Sequence, residues 1–269
     1  VCSSLSRLYN LIIDMDGIIY HGDRLLPGAQ KFFAWMRHRR IKFKLVTNNS
    51  SKTSSQYVEK LSELGIEVTA DHILTSAEAT ALFLQRVSRR GARVYIIGET
   101  GLSESMRRRG FVLDESSPDY VVVGIDRAFS YEKMKKACLA IRRGARFVAT
   151  NPDLLSPSEE GMVPGCGAIL AAIEACTGVA PLIIGKPQEE MFKSAMEQME
   201  AVKEETAILG DYLDTDIEGG RRAGIVAILI LSGVSHREDL TDTRFQPDYI
   251  FDDLEQFMRA VEAATQDWR

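Results

Sequence analysis

The chain has 269 residues, 45% of them hydrophobic, and a formal net charge of -5, enough apolar material for one large folded domain or two ordinary ones. The acidic balance argues against nucleic acid as a partner, since its binders carry a basic footprint, and no apolar run approaches the roughly 20 residues that span a bilayer. Cys2, Cys138, Cys166 and Cys176 show neither metal-ligand spacing nor the density of a disulfide framework, and no signal-peptide pattern opens the sequence at Val1, so a reducing, cytoplasmic compartment is expected.

Leu11-Ile12-Ile13 reads as a buried parallel strand that stops at Asp14-Met15-Asp16-Gly17. Were the strand to continue, period-two alternation would turn Asp14 and Asp16 to one side, where they could share a cation; the plainer alternative is an Asp-Gly turn. Ala29, Phe32, Phe33 and Met36 then space as a helix face, closed by the basic run Arg37-His38-Arg39-Arg40 where positive charge suits the helix dipole. Residues 41–46 alternate as a second strand ending in Thr47-Asn48-Asn49-Ser50-Ser51, and Tyr57, Leu61 and Leu64 mark a helix ended by Gly65. From about Ala79 the alternation restarts: strands at 93–97, 120–124 and 146–149, helices at 102–109 and 131–143. Residues 151–165 read as a Pro, Ser and Gly-rich loop, followed by a helix over 166–176. Residues 182–184 form a strand ending in Gly185-Lys186-Pro187, with Pro187 as the first residue of a helix. Residues 207–209 form another strand, ending in Gly210-Asp211. Last come strands at 225–231 and 248–251, separated by Ser232-Gly233-Val234-Ser235.

Four strands, at 11–13, 41–46, 182–184 and 207–209, thus end in Asp14/Asp16, Thr47/Asn48, Lys186 and Asp211. As neighbours in one parallel sheet they would gather these groups at its C-terminal edge, the ligand-binding edge of open α/β folds. Clustered carboxylates repel one another and demand a proton or a cation, and Mg²⁺ prefers such oxygen ligands beside substrate phosphate. Asp14 as nucleophile, Asp16 as acid and base, hydroxyl and amide donors, and a lysine for developing charge make up a phosphoryl-transfer site. Taken singly, each piece has an ordinary reading: 47–50 as a helix cap, Lys186 as a surface lysine, 211–216 as a capped turn, and Asp214 and His21 as solvated side chains. Strand-end placement of all four together is what these readings leave unexplained.

The sequence resembles the haloacid-dehalogenase-like (HAD) phosphatases, in the branch of NagD-type, p-nitrophenyl-phosphatase and phosphoglycolate-phosphatase enzymes. Residues 14–17 match the first motif, 46–51 the second, 185–187 the third and 210–217 the fourth, with Ala149 to Asp153 and Pro164 to Gly167 as further phrases of the branch. The resemblance implies an α/β fold: a Rossmann-like parallel-sheet core, residues 1–78 and 183–269, with an inserted α/β cap at 79–182. It implies Asp14 as nucleophile, Asp16 as acid/base, Thr47 and Asn48 as the phosphate-binding pair and Lys186 as the phosphate-stabilising lysine. Mg²⁺ would be held by Asp14, the Asp16 main-chain carbonyl and Asp211, with Asp216 behind them. Ile18 stands where the family usually has Thr or Val. The 151–165 segment, including Asn151 and Asp153, is where leaving-group selectivity is expected. The activity implied is hydrolysis of small phosphorylated metabolites through an aspartyl-phosphate, with no nucleic-acid or membrane partner; a homo-oligomer is compatible with the sequence. The alternatives are phosphate transfer to an alcohol from the same intermediate, or a catalytically silent phosphometabolite-binding protein.

Overall fold

A computed structural model describes residues 4–158, 160–241 and 244–266; Cys2 lies outside them. In chain order the strands and helices are β1 (Asn10–Asp14), β2 (Tyr20–His21), β3 (Arg24–Leu25), α1 (Ala29–Arg39), β4 (Lys42–Thr47), α2 (Ser54–Glu63), β5 (Ile73–Thr75), α3 (Ser76–Val87), β6 (Arg93–Ile97) and α4 (Thr100–Arg108). They continue as β7 (Val112–Leu113), β8 (Tyr120–Val123), α5 (Tyr131–Arg142), β9 (Arg146–Ala149), β10 (Leu155–Ser158), β11 (Gly161–Pro164), α6 (Cys166–Thr177) and β12 (Leu182–Ile183). The chain ends with α7 (Glu189–Met199), β13 (Thr206–Gly210), α8 (Glu218–Ala223), β14 (Val226–Ile230), β15 (Tyr249–Phe251) and α9 (Leu254–Gln266). Two compact units result: Val1–Thr47, Val58–Leu74 and Pro187–Arg269 form one, Asn48–Tyr57 and Thr75–Lys186 the other.

The first unit is built on a six-stranded sheet of order β15-β14-β13-β1-β4-β5, in which β4, β1, β13, β14 and β15 run parallel. Leu11, Ile12 and Ile13 of the central β1 are wholly buried, as expected of a strand covered on both faces. The buried face of α1 is Ala29, Phe32, Phe33 and Met36, the spacing read from the sequence. Phe32 meets Phe257 of α9 edge-on at 6.1 Å, and burying each such ring contributes about 1.5–3 kcal/mol. Pairing of β1 with β13 sets Ile13 beside Leu209, and pairing with β4 sets Asp14 beside Val46. Asp14, Thr47 and Asp211 therefore leave the sheet at one C-terminal edge.

The second unit holds a five-stranded sheet of order β12-β9-β8-β6-β7, parallel throughout. Tyr95, Ile97, Val121, Val123, Phe147 and Ala149 pack there against Ala137, Ile141, Ile169 and Ile173 of α5 and α6. Helix α3, which the sequence reading passed over, starts at an N-cap where Thr75 Oγ1 accepts the Glu78 N–H at 3.1 Å.

Four expectations are corrected here. The 182–184 strand joins the second sheet, not the one carrying β1: Leu182 pairs with Val148 and Ile183 with Ala149, because the connection from β9 through α6 returns beside β9 in the parallel crossover usual for such units. Residues 151–165 are not an irregular loop, since β10 and β11 pair antiparallel, Ser156 opposite Val163. Pro187 does not open a helix; the extended Gln188 (φ -72°, ψ 142°) precedes α7 at Glu189. Finally β1 ends at Asp14, so strand alternation does not carry to Asp16. Among the described residues, no helix is long and apolar enough to cross a membrane.

Candidate active site

Beyond Asp14 the chain folds back at once: Ile19 N–H donates to Met15 O at 2.8 Å and Gly17 N–H to Tyr20 O at 2.8 Å. Gly17 has φ +82°, and a Cβ there would lie 2.2 Å from Asp211 Oδ2, so both backbone conformation and close approach require glycine. One strand over, β13 delivers Asp211, 3% exposed. Its Oδ2 accepts the Val234 N–H at 2.7 Å and its carbonyl accepts the Ser235 N–H at 2.9 Å. Ser235 Oγ in turn accepts the Leu213 N–H at 3.0 Å, and Ser232 Oγ donates to Gly17 O at 2.6 Å. The 232–235 segment, read from sequence only as a separator between strands, thus clamps Asp211 and the turn after β1. Its position just past a buried strand at the sheet's C-terminal edge was the available signal.

Asp216 is wholly buried in a π-helical turn, Leu213–Ile217. Its Oδ2 accepts the Tyr212 N–H at 3.3 Å, and it lies against Gly210, where a Cβ would come within 2.1 Å of Asp216 Cβ. Asp14, Asp211 and Asp216 each offer a carboxylate oxygen, all within 4.8 Å of one another. Asp216, expected behind the site, thus has a carboxylate oxygen within 4.8 Å of those of Asp14 and Asp211. Three acids held this closely, Asp14 half-buried and the other two buried, are self-repelling. An all-oxygen set braced by backbone N–H groups and glycine contacts fits a hard dication, and the residues present therefore suit a metal ion.

The Asp16 carboxylate lies outside that trio. Its side chain is 50% exposed, with His21 Nδ1 at 3.6 Å from Oδ1. Desolvation raises its pKa above the ordinary 3.8, against the opposing pull of His21, Lys60 and the Gly17 N–H; this is the direction a proton donor requires. Lys60 sits 4.0 Å over the Tyr20 ring and pairs with Asp23 at 3.5 Å. Asp214 is exposed, as read from sequence, and so is His21. Thr47 is half-buried at the end of β4.

The second unit carries the other predicted residues, and they converge on Lys186, which is 3% exposed. Asn48 Oδ1 accepts the Lys186 N–H at 2.9 Å, and Asn48 Nδ2 donates to Lys186 O at 3.0 Å. Nδ2 also donates to the Asp153 carboxylate, at 3.2 and 3.1 Å to its two oxygens. Asn151 Nδ2 donates to Asn48 O at 2.8 Å, while Asn151 Oδ1 accepts the Asp153 N–H at 3.2 Å. Gly185 is required by contact: a Cβ there would lie 2.3 Å from Thr150 O and 2.7 Å from Asn48 Oδ1.

This arrangement has relatives. A family profile described as "Haloacid dehalogenase-like hydrolase" matches residues 11–112, and a HAD-hydrolase-like profile matches 183–257. The acid sugar phosphatase of Staphylococcus saprophyticus is 39% identical over 252 residues, covering 93% of this chain and 97% of its own. Among solved structures, the 4-nitrophenylphosphatase of Thermotoga maritima superposes with a TM-score of 0.92 at 40% identity, over 96% of this chain and 99% of that one. NagD of E. coli K-12 does so with a TM-score of 0.86 at 37% identity, over 91% and 96%. With its acid trio at the edge of a parallel sheet, and relatives matched along nearly its whole length, the chain belongs to the haloacid dehalogenase-like hydrolases, a generally metal-dependent superfamily.

Proposed function

We propose that the protein is a Mg²⁺-dependent phosphomonoesterase of small phosphorylated metabolites, working through an aspartyl-phosphate on Asp14. The observation that carries this reading is the trio of half-buried Asp14 with buried Asp211 and Asp216 at the sheet's C-terminal edge, beside a separate, partly exposed acid, Asp16. Mg²⁺ held by Asp14, Asp211 and the Asp16 main-chain carbonyl, with Asp216 beside them, would offset the negative charge that otherwise repels a phosphate dianion. Asp14 attacks phosphorus in line with the leaving oxygen, which takes the Asp16 proton. Asp16 then removes a proton from water as that water attacks the Asp14 acyl phosphate, which restores both carboxyl groups to their starting states. Thr47 supplies a hydroxyl donor to phosphate oxygens. Lys186, by its motif position, is assigned the charge developing on the phosphoryl group.

By this reading residues 1–78 and 183–269 are the catalytic core, and 79–182 a cap that sets leaving-group selectivity. The chemistry is that of a cytoplasmic metabolic enzyme. Sugar phosphates head the substrate panel because relatives are named acid sugar phosphatases. Nucleoside monophosphates, glycerol phosphate and phosphoglycolate complete it. The test is phosphate release across this panel with Mg²⁺, with and without EDTA, and with acceptor alcohols added. Release that EDTA abolishes is expected; phosphate recovered on the alcohol would identify a transferase, and binding without turnover a silent binding protein.

A further inference from the structure

Asn48 was expected to bind phosphate, yet its side chain has no donor left to offer. A primary carboxamide has two N–H donors and one acceptor oxygen. Here one N–H goes to Lys186 O, the other to the Asp153 carboxylate, and Oδ1 takes the Lys186 N–H. The Asn48 carbonyl is engaged as well, accepting from Ser76 Oγ at 2.6 Å and from Asn151 Nδ2. The amide group of Asn48 therefore pairs with the backbone of Lys186 as a neighbouring strand would, gripping its N–H and its C=O together. Lys186 has left β12 by this point, and the last ladder-like bond before it is Gly185 N–H to Thr150 O, at 2.8 Å. Asn48 takes over where the sheet stops.

The geometry points to Asn48 as a positioning residue that fixes the Lys186 backbone, with Asn151 and Asp153 as parts of the same brace and not of leaving-group recognition. The inference rests on the phosphatase reading for the role of Lys186. Asn151 holds Asn48 from its carbonyl side, and its Oδ1 fixes the Asp153 N–H, so that Asp153 meets the second amide proton of Asn48. The 151–165 segment thereby divides: 151–153 brace the lysine, while the β10–β11 hairpin beyond them remains to select the leaving group.

The test compares wild type, Asn48→Ala, Asn48→Asp, Asn151→Ala, Lys186→Ala and the Asn48→Ala/Lys186→Ala double variant on a sugar phosphate and on p-nitrophenyl phosphate. Asn48→Asp, nearly isosteric, keeps the acceptor and loses both donors. Misplacing a catalytic group by about 1 Å costs on the order of a hundredfold, so Asn48→Ala is expected to lower kcat by about that factor on both esters, with KM changed less than about threefold. In the Lys186→Ala background the same substitution should cost less than about threefold, since residues acting as one unit are not additive. Amide exchange at Lys186 should accelerate at least about tenfold in Asn48→Ala but not in Asn48→Asp, which retains the acceptor, while exchange at Gly185 stays unchanged in both. Additive losses, a rise in KM at constant kcat, or unaltered Lys186 exchange in Asn48→Ala would each overturn the proposal. A wild-type chain that releases phosphate from no ester refutes the phosphatase reading and with it the catalytic role of the brace. The exchange comparison then decides the clasp alone.

Discussion

Gly233→Ala isolates Asp211, the carboxylate proposed to hold the metal, from everything else at the site. A Cβ built on Gly233 would lie 1.8 Å from Asp211 Oδ2, 2.6 Å from its Cγ and 2.8 Å from its Cβ. Ordinary contact begins at 3.4 Å, so the carboxylate oxygen must retreat by roughly 1.6 Å, several times the ~0.2 Å tolerance of a metal–ligand distance. The retreat also strains the Val234 N–H bond to Oδ2, 2.7 Å in the wild type. Overpacking of this kind costs about 1–3 kcal/mol, and disturbing a ligand's support costs about 10–100-fold in metal affinity. The Mg²⁺ concentration for half-maximal rate should therefore rise at least about tenfold, with the melting temperature of the metal-free chain lowered by a few degrees. Rate is titrated against Mg²⁺ for wild type, Gly233→Ala and Asp211→Ala, with near-UV circular dichroism to establish that each variant is folded. A wild-type Mg²⁺ profile in Gly233→Ala would show that Asp211 holds no metal, and the assignment of the trio would fail.

Asp14→Asn keeps the volume of the proposed nucleophile and removes the oxyanion that would attack, so turnover should fall at least about a thousandfold, ~4 kcal/mol of transition-state stabilisation; more than a tenth of wild-type kcat, with deamidation excluded by mass spectrometry, would contradict the covalent route. His72, stacked on Phe43 at 4.6 Å, has its pKa lowered from 6.5, first by desolvation and then by Lys44. Because its neutral form is favoured in the folded state, the stability it contributes is complete above 6.5 and lost as pH falls through the lower folded-state value. Urea midpoints measured from pH 8 to 5 should decline less in His72→Gln than in wild type, and parallel curves would refute this. Phe129 and Val163 line a cavity of about 700 Å³ in the second unit. Phe129→Ala should change the ratio of kcat/KM between sugar phosphate and p-nitrophenyl phosphate, and an unchanged ratio would remove selectivity from that cavity.

Much of the first sheet was legible in the sequence because its signals are local. Leu11 to Ile13 and Ala207 to Leu209 are unbroken apolar runs that suit only buried strands, and the i, i+3, i+4, i+7 spacing of α1 returned as its buried face. An acid after each run placed Asp14 and Asp211 at a strand end, and the parallel pairing of β1 with β13 brought both to one edge, their carboxylate oxygens within 4.8 Å. What sequence could not decide was partnership. Two residues, Leu182 and Ile183, are too few to encode which sheet they join, and the crossover from β9 decided it. The pairing of β10 with β11 depends on cross-strand contacts that no single strand displays. The surroundings of Asn48, Gly233 and Asp216 were likewise set only by close approach in space. Asn48 reads as a polar residue after a strand, yet the fold aligns its amide with the backbone of Lys186, 138 positions away. Gly233 reads as loop punctuation, yet, like Gly17, it lies against the Asp211 carboxylate with no room for a Cβ. Residue type and spacing record which groups a chain can bring to a strand end, whereas hydrogen-bond saturation and steric contact between distant segments exist only once the chain has closed on itself.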